Sequence, residues 1–213
     1  MTAIVKVYSD YKSPYAFLAK DLVYELERET GARIEWLPYT LDIPSYLGSA
    51  RLGPDGRVVE ESRNAHQWRR VKYSYMDCRR EANLRGLTIR GTQKIWDSSL
   101  ANIGLLYARR QNVTRAYHDQ VFERFWRRDL DIESMDVLAE LLSACGADGA
   151  SFADFVEDEG RRELLEVQRD AEAAGVFGVP SVLLEDGDLY WGREHLPRIR
   201  QRLLGEGPEP LPR

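Results

Sequence analysis

A serine and a proline stand side by side in the stretch Tyr8–Ala19, YSDYKSPYAFLA, just after a short apolar run and just before a helical pattern. Ser13 is a natural N-cap, and Pro14 suits a first helical position because its missing N–H has no intrahelical partner there anyway. Such a helix end also carries unsatisfied N–H groups and about half a positive charge, so it favours anions. Ser13 therefore reads either as a plain cap or as a hydroxyl that donates to a reactive anion held at the helix mouth. The Ser-Pro pair alone leaves both readings open.

A second constellation is GVFGVPSVLLEDGDLYWG, Gly175–Gly192, where Val179–Pro180 stands directly before a strand. Proline lacks a ladder donor, so this place suits a trans proline at a strand start or a cis bond in a tight turn. A third lies in WRRVKYSYMDCRREA, Trp68–Ala82. Tyr73 and Asp77 are four apart and Arg80 three further, so the three share a helix face, as a catalytic set or as a salt-bridged surface. Trp68, Tyr75 and Trp96 offer flat apolar walls or ordinary core. His66, His118 and His195 are scattered, with neither metal nor triad spacing, and His118 beside Tyr117 reads as structural. Cys78 and Cys145 form no CxxC; two buried thiols or one disulfide both fit. No Gly-rich phosphate loop appears.

The elements that must position these residues follow from periodicity. Ile4–Tyr8 reads as a strand, Pro14 onward as a helix stopped by Gly31, and Arg33–Tyr39 as a second strand, forming a βαβ unit. The span 42–61 is rich in Pro and Gly and reads as irregular, with a turn at Pro54–Asp55–Gly56. From about Ser62 to Ala174 the pattern is helical, with Ser134 an N-cap, Gly146 a stop and Ser151 another start. Ser181–Glu185 and Asp188–Trp191 read as a hairpin turning at Asp186–Gly187, and a helix closes over Arg193–Leu204. The tail EGPEPLPR reads as loose. Sheet halves separated by helices predict one α/β layer fold: a domain over 1–40 and 175–213, with a helical insertion over 41–174.

The 213 residues suffice for such a fold, and 43% hydrophobic with 31% charged residues is a soluble composition. A formal net charge of −5 argues against general nucleic-acid binding. The N-terminal apolar run is too short for a signal peptide, and no segment reaches membrane-span length, so a cytoplasmic protein is expected.

βαβ, a helical block and ββα together resemble the thioredoxin fold in its DsbA-like branch. Within it, SPYAFLA, GVFGVPS and YWGREHL are most similar to 2-hydroxychromene-2-carboxylate isomerases and kappa-class glutathione transferases. The resemblance implies a glutathione-dependent isomerase or transferase acting on an aromatic or electrophilic small molecule, with glutathione as co-substrate and a homodimeric assembly. Ser13, Pro14, Tyr15 and Ala16 stand where disulfide-exchanging members carry C-x-x-C, so dithiol chemistry lacks both sulfurs here. The resemblance gives Ser13 the role of holding a glutathione thiolate at the helix end defined by Pro14. It gives Val179 and Pro180 the task of pairing with the cysteinyl backbone. Glu194 replaces the family's Asp for the γ-glutamyl ammonium, and Arg70 replaces the Lys that precedes Tyr73, Asp77 and Arg80. The family's F-P-x-N segment is not matched: Asp97 and Ser98 stand near its asparagine, which implies a different acceptor pocket. Two other readings are a redox-inactive peptide-binding module and an oxidoreductase using Cys78 or Cys145.

Overall fold

The computed structural model describes residues 2–206. β1 (Ile4–Ser9) is the hub of a four-stranded sheet. It pairs parallel with β2 (Arg33–Pro38), Val5 opposite Ile34 and Val7 opposite Trp36, and antiparallel with β5 (Ser181–Leu184), Val7 opposite Val182. β6 (Leu189–Trp191) pairs antiparallel with β5, giving the order β2-β1-β5-β6. The sheet thus joins the two ends of the chain, and Val5, Val7 and Val182 lie buried on its strands. Each such side chain contributes about 1.5–3 kcal/mol.

α1 (Pro14–Thr30) fills the β1–β2 connection and ends at Gly31. Between β2 and β5 the chain forms α2 (Ile43–Leu47), β3 (Ala50–Leu52), β4 (Val58–Glu61), α3 (Ala65–Leu84), α4 (Ser99–Arg110), α5 (Thr114–Arg127) and α6 (Met135–Ala144). A further run follows, from a 3₁₀ turn at Gly149–Ser151 through α7 (Phe152–Phe155) and a π turn at Val156–Gly160 to α8 (Arg161–Ala173). α9 (Leu196–Leu203) closes the fold after a 3₁₀ turn at Arg193–His195. The expected loose tail lies outside the described residues, apart from Glu206.

One detail differs from expectation. The stretch read as irregular contains an antiparallel pair, β3–β4, with a register shift between Arg51 and Leu52, so the span 41–174 is not wholly helical. A three-residue strand next to Pro54 and Gly56 is too short for alternation to reveal. α7 starts directly after Ser151, as expected, with Ser151 at its N-cap position; its hydroxyl donates to Asp148 Oδ2 at 2.7 Å instead of accepting from the helix.

The helices lock onto the sheet through rings and one buried cation. Tyr11, Phe17 and Trp36 meet His118 and Phe122 of α5, with centroids 4.9 Å apart for Tyr11–Phe122 and 4.4 Å for Trp36–His118. The buried Lys20 ammonium bridges Asp21 and Asp119, each at 2.6 Å. α4 crosses α5 so closely that a Cβ on Gly104 would lie 2.0 Å from the Tyr117 hydroxyl. Among the described residues no helix is long and apolar enough to cross a membrane.

Candidate active site

The turn from β1 into α1 builds the floor. Ser13 N–H donates to Asp10 O at 3.0 Å and Ser13 C=O accepts from Phe17 N at 3.1 Å, so the chain enters the helix at Pro14 without slack. Ser13 Oγ accepts from Ala16 N at 3.2 Å. A hydroxyl has one hydrogen to give as well as lone pairs to offer. Among the described residues no acceptor takes the Ser13 hydrogen, so capping leaves it available.

Facing this turn is the loop before β5, where the Val179–Pro180 peptide is cis. Pro180 C=O accepts from Gly192 N at 2.9 Å, and Ser181 Oγ donates to Gly178 O at 2.7 Å, which fixes the loop from both sides. Among the described residues the N–H and C=O of Val179 have no hydrogen-bond partner. They are free to pair with an extended peptide backbone.

Two cavities meet at this loop, with Tyr15, Val179 and Trp191 shared between them. The first, about 710 Å³, runs between α1 and α9 and exposes Glu25, Glu29, Asp77, Arg193, Glu194 and Arg200. The Glu194 carboxylate folds back over Gly192, whose φ is +109° and whose absent Cβ would lie 2.4 Å from Glu194 Oε2. Only glycine accepts both that dihedral and that approach.

The second cavity, about 540 Å³, lies over Ser13 and Pro14. Tyr46, Tyr75, Trp96 and Phe177 give it flat walls, while Lys12, Arg63, Arg70 and Lys94 give it positive charge. No carboxylate lines it among the described residues. Phe177 and Trp191 pack with ring centroids 5.0 Å apart at the junction. Trp68 stands off from this cavity, its Nε1 donating to Glu61 Oε2 at 2.7 Å.

Of the expected α3 set, the two cavities receive Asp77 alone. Tyr15 donates its hydroxyl to Asp77 Oδ2 at 3.2 Å. Tyr73 is exposed, and Arg80 is exposed and directed to Met76 Sδ at 3.4 Å; neither lines a cavity. The stripe that does face inward is Arg70, Val71, Ser74, Tyr75 and Asp77, a face rotated from the one that Tyr73 and Arg80 share. Ser13, Pro14, Val179, Pro180 and Glu194 all line one cavity or the other. Lys12, Arg63, Lys94 and Phe177 escaped the sequence reading. Lys12 carried a signal, since it sits between Asp10 and Ser13 in the turn that builds the floor.

Beneath the floor, Asp10 is fully buried. Leu41 N donates to its Oδ2 at 2.8 Å, and Asn102 Nδ2 approaches its Oδ1 at 3.5 Å. Burial pushes its carboxyl above the usual range, against the opposing pull of Lys12 and of its hydrogen bonds. Burial likewise pushes the Tyr15 phenol up, and the Cys78 thiol up to about 12. Both cysteines are free thiols. His118, buried against Tyr11 with its Nδ1 3.0 Å from the phenol oxygen, is pulled down to about 3 by desolvation and the Lys20 charge. Among the described residues no three His, Cys, Asp or Glu side chains converge so as to hold a metal ion.

A βαβ–ββα sheet with a helical insertion, and a cis-proline loop facing the first helix, defines a thioredoxin fold. More narrowly, residues 4–204 match the family described as the DSBA-like thioredoxin domain, and the chain belongs to that family. It is 27% identical over 206 residues to the 2-hydroxychromene-2-carboxylate isomerase of Sphingobium xenophagum, covering 96% of this chain and 100% of that protein. A solved 2-hydroxychromene-2-carboxylate isomerase superimposes with a TM-score of 0.74 at 22% identity, covering 95% of each chain. The cytosolic disulfide reductase DsbM of Pseudomonas aeruginosa, solved with GSH, does so with a TM-score of 0.66 at 16% identity, covering 95% of this chain and 97% of that one.

Proposed function

We propose that this protein is a glutathione-dependent isomerase or transferase acting on an aromatic or otherwise electrophilic small molecule. The observation that carries the reading is the free hydroxyl hydrogen of Ser13, at a helix N-terminus beside the unpaired backbone of Val179. A tripeptide lying in the first cavity would pair its cysteinyl backbone with Val179 and set its sulfur over the shared wall toward Ser13. Glu194 would receive its γ-glutamyl ammonium. Ser13 Oγ–H and the helix end then favour the thiolate over the thiol. The second cavity holds the electrophile between flat walls. Thiolate adds to an activated double bond, the adduct rotates about the resulting single bond, and the thiolate leaves.

The full-length similarity to 2-hydroxychromene-2-carboxylate isomerases supports an isomerase-like enzyme. The DsbM structure of the same fold was solved with GSH, which supports the choice of this tripeptide as the thiol. The buried Cys78, with its thiol pushed up to about 12, weighs against the chain supplying its own nucleophile.

Titration of glutathione into native protein and Ser13→Ala, followed by calorimetry and ultraviolet thiolate absorbance, tests this. The native protein should lower the bound thiol's pKa by about one unit, equivalent to about 1.4 kcal/mol and within reach of one charge-assisted hydrogen bond. Ser13→Ala should lose that shift. Binding weaker than millimolar, indifferent to Ser13, would instead favour the peptide-binding module. Homodimerisation belongs to the same proposal, and light scattering reads it directly.

A further inference from the structure

Lys12 carries a buried charge that no hydrogen bond accounts for. Its side chain is only 6% exposed, yet it lines the second cavity next to Ser13. The carboxylate oxygen beside it, Asp10 Oδ2, is 3.8 Å from Nζ, beyond hydrogen-bond distance. Among the described residues no acceptor engages any of the three ammonium hydrogens. An ammonium whose donors the protein leaves unused, on a side chain that opens only into this cavity, can give them to an acceptor bound there.

The other three cations of this cavity are accounted for. Lys94 pairs with Glu133 and lies 4.3 Å from the centroid of the Trp96 ring. Arg63 donates to Leu47 O at 3.1 Å and stacks on Trp68. Arg70 stands exposed at the rim. Lys12 alone is buried along its length with no hydrogen bond from its ammonium, and Asp10 lies below it at ion-pair distance.

We propose that Lys12 is a catalytic residue whose Nζ–H groups receive the oxyanion formed when a thiolate adds to a conjugated carbonyl compound in this cavity; the assignment rests on the glutathione reading above. The sulfur forms a bond to the β-carbon. The π pair of the C=C bond moves to join the α-carbon to the carbonyl carbon, and the C=O π pair moves onto oxygen as an enolate. That oxygen lies three bonds from the carbon bearing sulfur, and Lys12 neighbours Ser13, so one turn serves both ends of the adduct. After rotation the oxygen pair reforms the carbonyl, the enolate π pair returns to join the α- and β-carbons, and the C–S pair leaves on sulfur as thiolate, with no net gain or loss of atoms or electrons. Donors aimed where charge develops, in a site shielded from water, act chiefly on the transition state.

4-Nitrophenol, a flat ring whose phenolate absorbs visibly, probes the oxyanion site without glutathione. The groups facing Lys12 are Asp10 and Ser13 from its own turn, Asp97 from the segment before α4, Arg63, Arg70 and Tyr75 from around α3, Tyr46 from α2, and Lys94. Bound to native protein, the phenol should ionise about one pH unit lower than free, a tenfold bias toward the anion. Lys12→Met should abolish that shift and Lys12→Arg should retain part of it. Lys12→Met combined with Asp10→Asn removes the buried pair together and covers the case in which the single variant does not fold. Equal ionisation in native protein and in these variants overturns the assignment, as does failure of the native protein to bind the phenol. Glutathione thiolate absorbance in the same proteins separates the two proposals. A thiolate formed alike in native and Lys12→Met protein, with an indifferent phenol, removes only the role of Lys12. A phenol that responds to Lys12, in a protein that ignores glutathione, removes the glutathione reading and leaves the oxyanion site.

Discussion

The Tyr15 hydroxyl reaches Asp77 Oδ2 across 3.2 Å, so the first turn of α1 is tied directly to the middle of α3. The same tyrosine ring forms part of the wall between the two cavities. One side chain therefore sets both the spacing of helix and insertion and the border between the proposed thiol and acceptor compartments.

Removing that hydroxyl should cost little stability and more function. Tyr15→Phe should lower unfolding free energy by about 1 kcal/mol, the net worth of one part-buried hydrogen bond. Denaturant unfolding measures this. Glutathione affinity should fall further than the stability loss accounts for, because the wall loses its anchor.

Sulfur placed at the helix mouth should restore what the sequence lacks. Ser13→Cys should give a thiol with a pKa below the free value, because the helix N-terminus favours its anion. With oxidised glutathione it should form a mixed disulfide, releasing one reduced glutathione, but it should reduce insulin poorly, since Ala16 offers no resolving sulfur. Ser13→Cys with Ala16→Cys should gain insulin reduction.

The two native thiols should differ in reactivity. Cys78 is fully buried with its pKa pushed up to about 12, whereas Cys145 is part-exposed and raised by burial. An aromatic disulfide reagent at about neutral pH should label Cys145 first and Cys78 only on unfolding.

Acid should destabilise the fold through His118. Its pKa falls from 6.5 in the unfolded chain to about 3 in the fold, so between these values the unfolded chain binds the proton and the native protein does not. Stability from this group is complete above about pH 6.5 and falls as pH drops toward about 3, by several kcal/mol in all at about 1.4 kcal/mol per unit. Thermal melts of native protein and His118→Gln across this range should show a flatter acid limb in the variant.

Gly192→Ala should fail on two grounds. The residue holds φ +109°, and its Cβ would displace the Glu194 carboxylate. A loss of at least about 1 kcal/mol in stability is expected, together with weaker glutathione binding; calorimetry beside thermal melts separates the two.

The framework of this site was largely legible because its punctuation is local. Ser13–Pro14 marks the α1 start, and Val179–Pro180 marks the approach to β5. What escaped depends on neighbours distant in sequence. Helical spacing groups Tyr73, Asp77 and Arg80, but the placement of α1 and the β5 loop decides that Asp77 and Ser74 face inward. Lys12 looks like any surface lysine until Asn102, Leu41 and the insertion enclose Asp10 beneath it. The β3–β4 pair is too short to announce itself, and the π turn at Val156–Gly160 sits inside a continuous helical pattern.

The first turn of α1 presents oxygen and carbon, from Ser13 and Ala16, where disulfide-exchanging kin present two sulfurs. Peroxide therefore finds no atom there to carry up the ladder from sulfenic to sulfonic acid. On the proposed reading the sulfur arrives with each visitor and oxidative damage leaves with it, so the working life of such a catalyst would be set by the supply of reduced thiol around it.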